Sequence, residues 1–456
     1  MSVIGIPIEI KAREFHGKLW LAAKLARAGH KVALGDKSHL RATLFEEVKP
    51  DIYISKSMCK GGGTEKIFEQ LKQYGASVTV LDSEGGLGSS KNKWLEMRVT
   101  EELLEYVDAI FAWGEIQASA LEETTYSPEN IHVTGNPRFD LLRPELREFY
   151  SEQAKKLKEE FGNYILINTN FGVTNSYSEE NINQVFDERE INISEHRLEY
   201  RSRIFDEFLS VTGDLSNAVE KEIIVRPHPG EDHETYQSEF DDPSGIHVEF
   251  SGDVRHWIMG ADAVIHNNCT TGVESALLNK KVIAFEPDVG MKAKEFSLPN
   301  FVSYSAKTLN EVLQYINASE NKIEYKLTDK QKSELKMWLA NVDEMAAPKM
   351  AKVIHRLTKS GGSAKYPPLS ISQKMKSIVK QQPITPHILG ISGLDKRMNK
   401  ERTGKGKQKV PDLTIEEVKS NLDKMNINAN NIVISRVTHT DNVFWIDGSS
   451  ASSDQD

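Results

Sequence analysis

Short runs rich in β-branched residues alternate with helical patterns twice over along this chain, and that alternation restricts its fold more than any other feature. In the first half Val3–Ile8, Lys31–Gly35, Asp51–Ile54, Ser77–Leu81, Ala109–Trp113 and Ile131–Thr134 read as strands. Between the first two, Phe15–Ala28 places Leu19, Ala22, Ala23 and Ala26 on one helical side, with Gly29 as its C-cap. Strand, helix, strand in this order makes parallel pairs, because a parallel partner is reached only through a crossover. After a charged segment compatible with helix, Arg143–Phe161, the pattern resumes with Tyr164–Thr169, Glu222–Val225, His247–Phe250, Ala263–His266, Lys281–Phe285 and Phe301–Tyr304. The expectation is an α/β chain of two Rossmann-like, doubly wound domains facing a cleft, over residues 1–150 and 151–357. Residues 172–200, rich in Asn, Ser and Glu, read as a long loop or lid before a helix that runs to about Phe208.

Beyond Thr358, Gly361-Gly362-Ser363, Pro367-Pro368, Pro383 and Pro386 oppose regular packing, so residues 358–411 read as a flexible linker. Within it, residues 374–409 hold eight lysines and two arginines against Asp395 and Glu401, a stretch suited to peripheral contact with anionic lipid head groups of the inner membrane. The alternative for that stretch is a solvated linker. Thr414-Ile415-Glu416-Glu417 then has a capping-box pattern, and Ile415, Val418, Leu422 and Met425 follow at helical spacing. With β-like Ile432–Val437 and Val443–Ile446 this predicts a small αββ appendage over 412–448, followed by a frayed tail, 449–456.

A length of 456 residues exceeds what one core usually organises, and the formal charge of −10 argues against a nucleic-acid binder. Two cysteines, Cys59 and Cys269, are too few for a disulfide framework or a cysteine-rich zinc site, and both are expected to remain thiols. No apolar run approaches the roughly 18 residues of a membrane span. Met1-Ser2-Val3-Ile4-Gly5 lacks a basic region ahead of an apolar one and leads straight into a strand, so a cytoplasmic location is expected.

Candidate chemistry sits where strands end. Arg226-Pro227-His228-Pro229 follows a buried-strand pattern, and its prolines fix the backbone as it leaves the sheet. His228 there can bind a phosphate oxygen or protonate a leaving phosphate near neutral pH, and Arg226 can add fixed charge. His266-Asn267-Asn268-Cys269-Thr270-Thr271-Gly272-Val273-Glu274 opens a helix whose first N–H groups, with the Thr270 and Thr271 hydroxyls and the slim Gly272, suit a phosphate. Glu274, one turn in, is placed for ribose hydroxyls. In the first half Asp82-Ser83-Glu84-Gly85-Gly86 presents carboxylates on a glycine-hinged loop. Glu84 is the candidate general base for an attacking hydroxyl, and Asp82 either orients the loop or shares the role. Asn136 and Arg138, after the sixth strand, are candidates to line the cleft. The histidines show no metal spacing, and neither a metal nor a cofactor is expected.

Together these elements resemble the bacterial surface carbohydrate biosynthesis proteins, those of capsule and lipopolysaccharide, that have GT-B-like architecture. Phe15-His16-Gly17-Lys18-Leu19, Val133-Thr134-Gly135-Asn136-Pro137-Arg138-Phe139-Asp140, Thr270-Thr271-Gly272-Val273-Glu274-Ser275 and Val282-Ile283-Ala284-Phe285 carry the likeness, over about residues 1–355. Within that superfamily the acidic motif and the His-Pro pair look like those of bacterial sialyltransferases and Kdo transferases. The resemblance implies a glycosyltransferase that needs no metal and moves a sugar from a nucleotide donor, such as a cytidine-monophosphate 2-keto acid sugar, to a glycan or lipid-linked acceptor. It implies that Glu84 activates the acceptor while His228, Thr270 and Thr271 hold the departing phosphate. Here a serine stands between the two acids. The alternatives are a cytidine-diphosphate-glycerol glycerophosphotransferase, a uridine-diphosphate-sugar 2-epimerase and a non-catalytic nucleotide-sugar-binding protein.

Overall fold

Each set of six strands forms a parallel sheet. The computed structural model describes residues 1–85, 91–176, 195–240, 245–291, 296–317, 325–360, 362–368, 410, 412–427, 431–438, 440 and 442–448. Gly86, most of the 172–200 and 358–411 segments, all of the basic 374–409 stretch and the 449–456 tail lie outside the described residues.

The first sheet contains β1 (Val3–Ile8), β2 (Lys31–Asp36), β3 (Ile52–Ser55), β4 (Ser77–Val80), β5 (Ala109–Ala112) and β6 (Ile131–Val133). The second contains β7 (Tyr164–Asn168), β8 (Glu222–Arg226), β9 (Ile246–Val248), β10 (Ala263–His266), β11 (Val282–Phe285) and β12 (Tyr304–Ala306). Helices cover both faces, which is why β5, β7, β10 and β11 are buried along their whole length and read as unbroken apolar runs. The strand orders are β2-β1-β3-β4-β5-β6 and β12-β11-β10-β7-β8-β9. Chain direction across the sheet therefore reverses between β1 and β3 in the first and between β7 and β10 in the second. Ligands of open α/β sheets bind at the carboxyl ends of the strands beside such reversals.

One expected strand is displaced. Phe301 belongs to a short helix, Leu298–Phe301, and β12 begins only at Tyr304. The Ser297 hydroxyl accepts from the Asn300 amide and Pro299 sits in the first turn, so local capping overrides the β-like Phe301–Tyr304 run.

The αββ segment does not stand apart. The hairpin of β13 (Val433–Arg436) and β14 (Val443–Asp447) adds to the free edge of β2, with β14 antiparallel to it in the register Phe444↔Leu34, making an eight-stranded mixed sheet. The Ile415–Lys424 helix packs against the Lys11–Arg27 helix, and Lys11 pairs with Glu417 at 2.8 Å. Gly35 makes this docking possible, since a Cβ there would lie 2.1 Å from the Asn442 carbonyl oxygen.

A single buried apolar cluster runs through both halves, joining Ile4, Leu19, Phe111, Trp113 and Phe139 to Leu166, Ile224, Val264 and Val282. The Ala346–Ser360 helix crosses back from the second half onto the helices Lys11–Arg27 and Pro137–Asp140. Asp140 anchors that return. Its carboxylate accepts from the amides of Ala346 (2.7 Å) and Ala347 (2.8 Å), from Asn341 Nδ2 (2.6 Å) and from Trp20 Nε1 (3.2 Å). Burial lifts its carboxyl to about 6 against the pull of these donors. Gly17 lets the first helix touch the Arg138 backbone, where a Cβ would come within 2.5 Å.

Candidate functional site

The carboxyl ends of β1, β3 and β4 gather charge beside the first reversal. Glu9, just past β1, accepts from Lys37 (3.0 Å) and from Lys56, which follows β3. Burial pushes the Glu9 carboxyl up, but the two ammonium groups outweigh it and hold it far below the usual carboxylate range. Beyond β4, Asp82 and Glu84 separate by environment. Asp82 is 1% exposed and takes a fork from Arg98, Nη2 to Oδ1 at 2.7 Å and Nε to Oδ2 at 3.1 Å. It also accepts from the Glu84 amide at 2.8 Å, so it orients the loop and presents no free oxygen for base chemistry. Its carbonyl accepts from Trp113 Nε1 (2.9 Å), and the Glu84 carbonyl accepts from Trp94 Nε1 (3.0 Å). Gly85 lies on the Trp113 ring, where a Cβ would fall 2.1 Å from the nearest carbon.

Glu84 is the member that faces solvent, its side chain 54% exposed, with Arg98 Nη1 at 3.3 Å and Arg13 Nη1 at 3.5 Å. Desolvation by the surrounding walls raises its carboxyl, and Arg98, Arg13 and Lys56 more than reverse that. The result is a carboxylate more acidic than usual. It suits holding a hydroxyl, but it is a weak proton acceptor at neutral pH.

In the second sheet the Arg226-Pro227-His228-Pro229 corner is built around a residue that the sequence reading missed. Glu231, 1% exposed, accepts from the Phe171 amide (2.7 Å), the Thr169 hydroxyl (2.7 Å), the His228 amide (3.3 Å) and the Tyr236 hydroxyl. An acid three residues past the histidine was the available signal. His228 is half-buried and its Nδ1 accepts from the Gly230 amide at 3.1 Å. Arg226 is turned to a structural task. Its guanidinium donates to the carbonyls of Ser251 (2.8 Å) and Gly252 (3.2 Å) and stacks 5.1 Å from Trp257, while burial pulls it down to about 10. Arg226 is thus held away from the phosphate role expected of it.

The helix Thr271–Leu277 follows β10 without a side-chain cap on its first amides, and Thr270 before it is exposed. Gly272 serves a packing need, because a Cβ there would lie 2.4 Å from His266 Nε2. The two loops beside the β7/β10 reversal are tied together by Asn170 Nδ2 donating to the Asn268 carbonyl at 2.9 Å. Since Thr169 also accepts from the His228 amide, the His228 corner and the loop before Thr270 lie side by side.

The two sheets meet across this edge. Arg138 stacks over Trp113, 5.1 Å from its centroid, and faces Glu274 of the other half at 3.5 Å, both side chains about 5% exposed or less. The acidic loop thus reaches Glu274 in three contacts, Asp82 to Trp113 to Arg138 to Glu274. Asn136 caps the Pro137–Asp140 helix through Arg138 N (3.1 Å) and pairs its backbone with Asn341, so it braces the junction rather than lining an opening. Farther along, Arg255 donates to the Ala12 (2.9 Å) and Arg13 (3.0 Å) carbonyls and, through Nε, to Asp253 at 2.7 Å.

His16 Nδ1 meets Asp253 Oδ2 at 2.8 Å across the same interface. Burial raises the Asp253 carboxyl, but Arg255 and His16 outweigh it and drive it well below the ordinary range. An ionised carboxylate only accepts, so Nδ1 carries the hydrogen and donates to Asp253, and Nε2 is the ring nitrogen left for another partner. A carboxylate behind an imidazole in this way stabilises the cation that forms on proton uptake. None of Arg98, Arg13, Arg255, Asp253 or Trp113 stands in a local motif, so sequence spacing could not assign them.

Among the described residues no cluster of three His, Cys, Asp or Glu side chains is placed to hold a metal ion, and no helix is long and apolar enough to cross a membrane. No family model matches the chain, and no curated protein matches its sequence. Solved structures share the fold. The UDP-GlcNAc 2-epimerase of Neisseria meningitidis, bound to UDP-GlcNAc, aligns over 79% of this chain and 100% of its own with 12% identity and a TM-score of 0.51. The UDP-GlcNAc 2-epimerase of Methanocaldococcus jannaschii (77% and 98%, 12% identity, TM-score 0.48) and the wall teichoic acid polymerase TagF (79% and 90%, 10% identity, TM-score 0.48) also align. The chain has GT-B-like architecture: two Rossmann-like domains with a cleft between them.

Proposed function

We propose that this chain is a glycosyltransferase of bacterial surface polysaccharide assembly, with the nucleotide sugar in the second domain and a glycan or lipid-linked acceptor against the first. The observation that carries the reading is the junction itself, where the acidic loop, Trp113, Arg138 and Glu274 run in unbroken contact from one sheet edge to the other. The nucleotide sugar seen in the Neisseria epimerase supports a donor of that class in the crevice.

In this reading the phosphate of the donor rests on the Thr270–Thr271 helix start, with His228 beside it, and Glu274 takes the ribose. Fixed donors aimed at the charge that develops on the leaving phosphate lower the barrier without reorganising at the moment of reaction. Glu84 holds the acceptor hydroxyl. The proton passes to His16, whose ring is oriented by Asp253, whereas Glu84 is made more acidic by Arg98 and Arg13.

The test is acceptor-dependent release of nucleotide from cytidine- and uridine-activated sugars. His16→Asn should lower kcat by roughly 10²-fold or more with donor binding unchanged, and Glu84→Gln should act mainly on the KM for acceptor. A His16→Asn enzyme of full activity beside an inactive Glu84→Gln enzyme would return the base to Glu84. A uridine-diphosphate-sugar 2-epimerase is the second reading, because the His16–Asp253 pair can take a proton from the donor sugar itself. Turnover of donor in the absence of any acceptor would favour it.

A further inference from the structure

Arg138 is fixed in place but poorly satisfied. Its backbone is seated against Gly17 and its amide donates to Asn136 Oδ1. The guanidinium lies between Trp113 (5.1 Å) and Phe139 (4.6 Å), with 5% of the side chain exposed. Yet the approach to Glu274 is 3.5 Å, well beyond the roughly 2.8 Å of a charge-assisted hydrogen bond, and the buried Nε has no acceptor among the described residues. Burial pulls this guanidinium down to about 10, with Glu274 opposing the shift and Arg255 and Arg13 adding to it. A buried cation so weakly paired is costly to keep, and a buried polar group without a partner calls for a reason beyond stability.

The partner supplies that reason. Glu274 sits at the β7/β10 reversal, while Trp113 under Arg138 holds the Asp82 carbonyl. We propose that Arg138 is a positioning residue that aligns Glu274 for the ribose of the bound nucleotide and passes the occupancy of that site, through Trp113, to the Asp82–Gly85 loop. This rests on the reading that Glu274 recognises ribose. Once a diol engages one carboxylate oxygen, the other turns to Arg138 and the slack pair closes to a proper hydrogen bond. The first domain is then informed that the donor is seated, and acceptor chemistry at Glu84 and His16 is matched to a filled second domain.

The probe is discrimination between ribose and deoxyribose, using UDP against 2′-deoxy-UDP and CMP against 2′-deoxy-CMP on the full chain. The wild type should prefer the ribonucleotide by about tenfold or more, and Glu274→Gln should lose most of that preference. Arg138→Lys keeps the charge without the fork or the stacking plane and should retain only part of it. The double variant Arg138→Met with Glu274→Gln removes both buried charges, so it folds even where a single removal leaves an unpaired ion, and it should show no preference. Arg138→Lys should also lower kcat for transfer more than it raises the donor KM, and the tryptophan fluorescence change on nucleotide binding, assigned by its loss in Trp113→Phe, should shrink in it. Loss of preference in Glu274→Gln with wild-type preference, kcat and fluorescence in Arg138→Lys would overturn the positioning role alone. Full preference in Glu274→Gln would overturn the ribose reading and this proposal with it.

Discussion

His266 ends β10 with no exposed surface, and its partners define its chemistry. The Ser303 hydroxyl donates to the Pro299 carbonyl at 2.7 Å, so it accepts from His266 Nε2 at 2.9 Å and the hydrogen resides on Nε2. Burial pulls this imidazole down to about 3, far under its ordinary 6.5. The folded chain therefore refuses a proton that the unfolded chain accepts. Its contribution to stability is complete above about pH 6.5 and is lost as the pH falls toward 3, with a slope of at most roughly 1.4 kcal/mol per pH unit. Urea unfolding at pH 7.5, 6 and 5 should show this decline, and His266→Gln should flatten it. A wild-type profile as flat as that of the variant would contradict the assignment. The sequence placed His266 and Gly272 in one motif but assigned the glycine to a phosphate, because an i, i+6 spacing does not reveal that a ring packs on the intervening turn.

At the scale of elements, burial decides what could be read in advance. Strands covered on both faces announce themselves as apolar runs, and eleven of the twelve principal strands start within one residue of their expected positions, β12 being the exception. The hairpin was also legible as two β-like runs, but its pairing with β2 was not, since antiparallel addition across some 400 residues leaves no local trace. That pairing covers an edge which would otherwise offer unpaired backbone groups to another chain. Gly35→Ala tests it directly. The added Cβ would meet Asn442 O at 2.1 Å and Val443 Cα at 2.6 Å, both backbone atoms that cannot rotate away. A loss of about 1–3 kcal/mol is expected, with faster proteolytic release of the 412–448 segment. Equal stability and equal resistance to protease would show that the hairpin does not depend on this contact.

For the whole molecule, the two strand-order reversals explain why the candidate motifs lie at strand ends in both halves. Asp82–Glu84 and His228 each follow the carboxyl end of a strand near a reversal, and that placement could be anticipated from the βα alternation alone. The layer that makes it a site could not. Arg98, Arg13, Arg138 and Arg255 come from four separate helices, and only the packing of those helices brings their charges to Asp82, Glu84, Glu274 and Asp253. This layer also changes the chemistry, by making Asp82 a support and Glu84 more acidic, and in the proposed reading it leaves the base role to His16. The continuous apolar cluster beneath it runs through both halves and holds them together.

A crystal structure with CMP or UDP bound tests the shared cleft most directly. The account predicts phosphate density within hydrogen-bond distance of His228 or the Thr270–Thr271 helix start, the ribose on Glu274, and Glu84 and His16 across the gap from it. A nucleotide bound away from the β7/β10 reversal, with that crevice left empty, would contradict it.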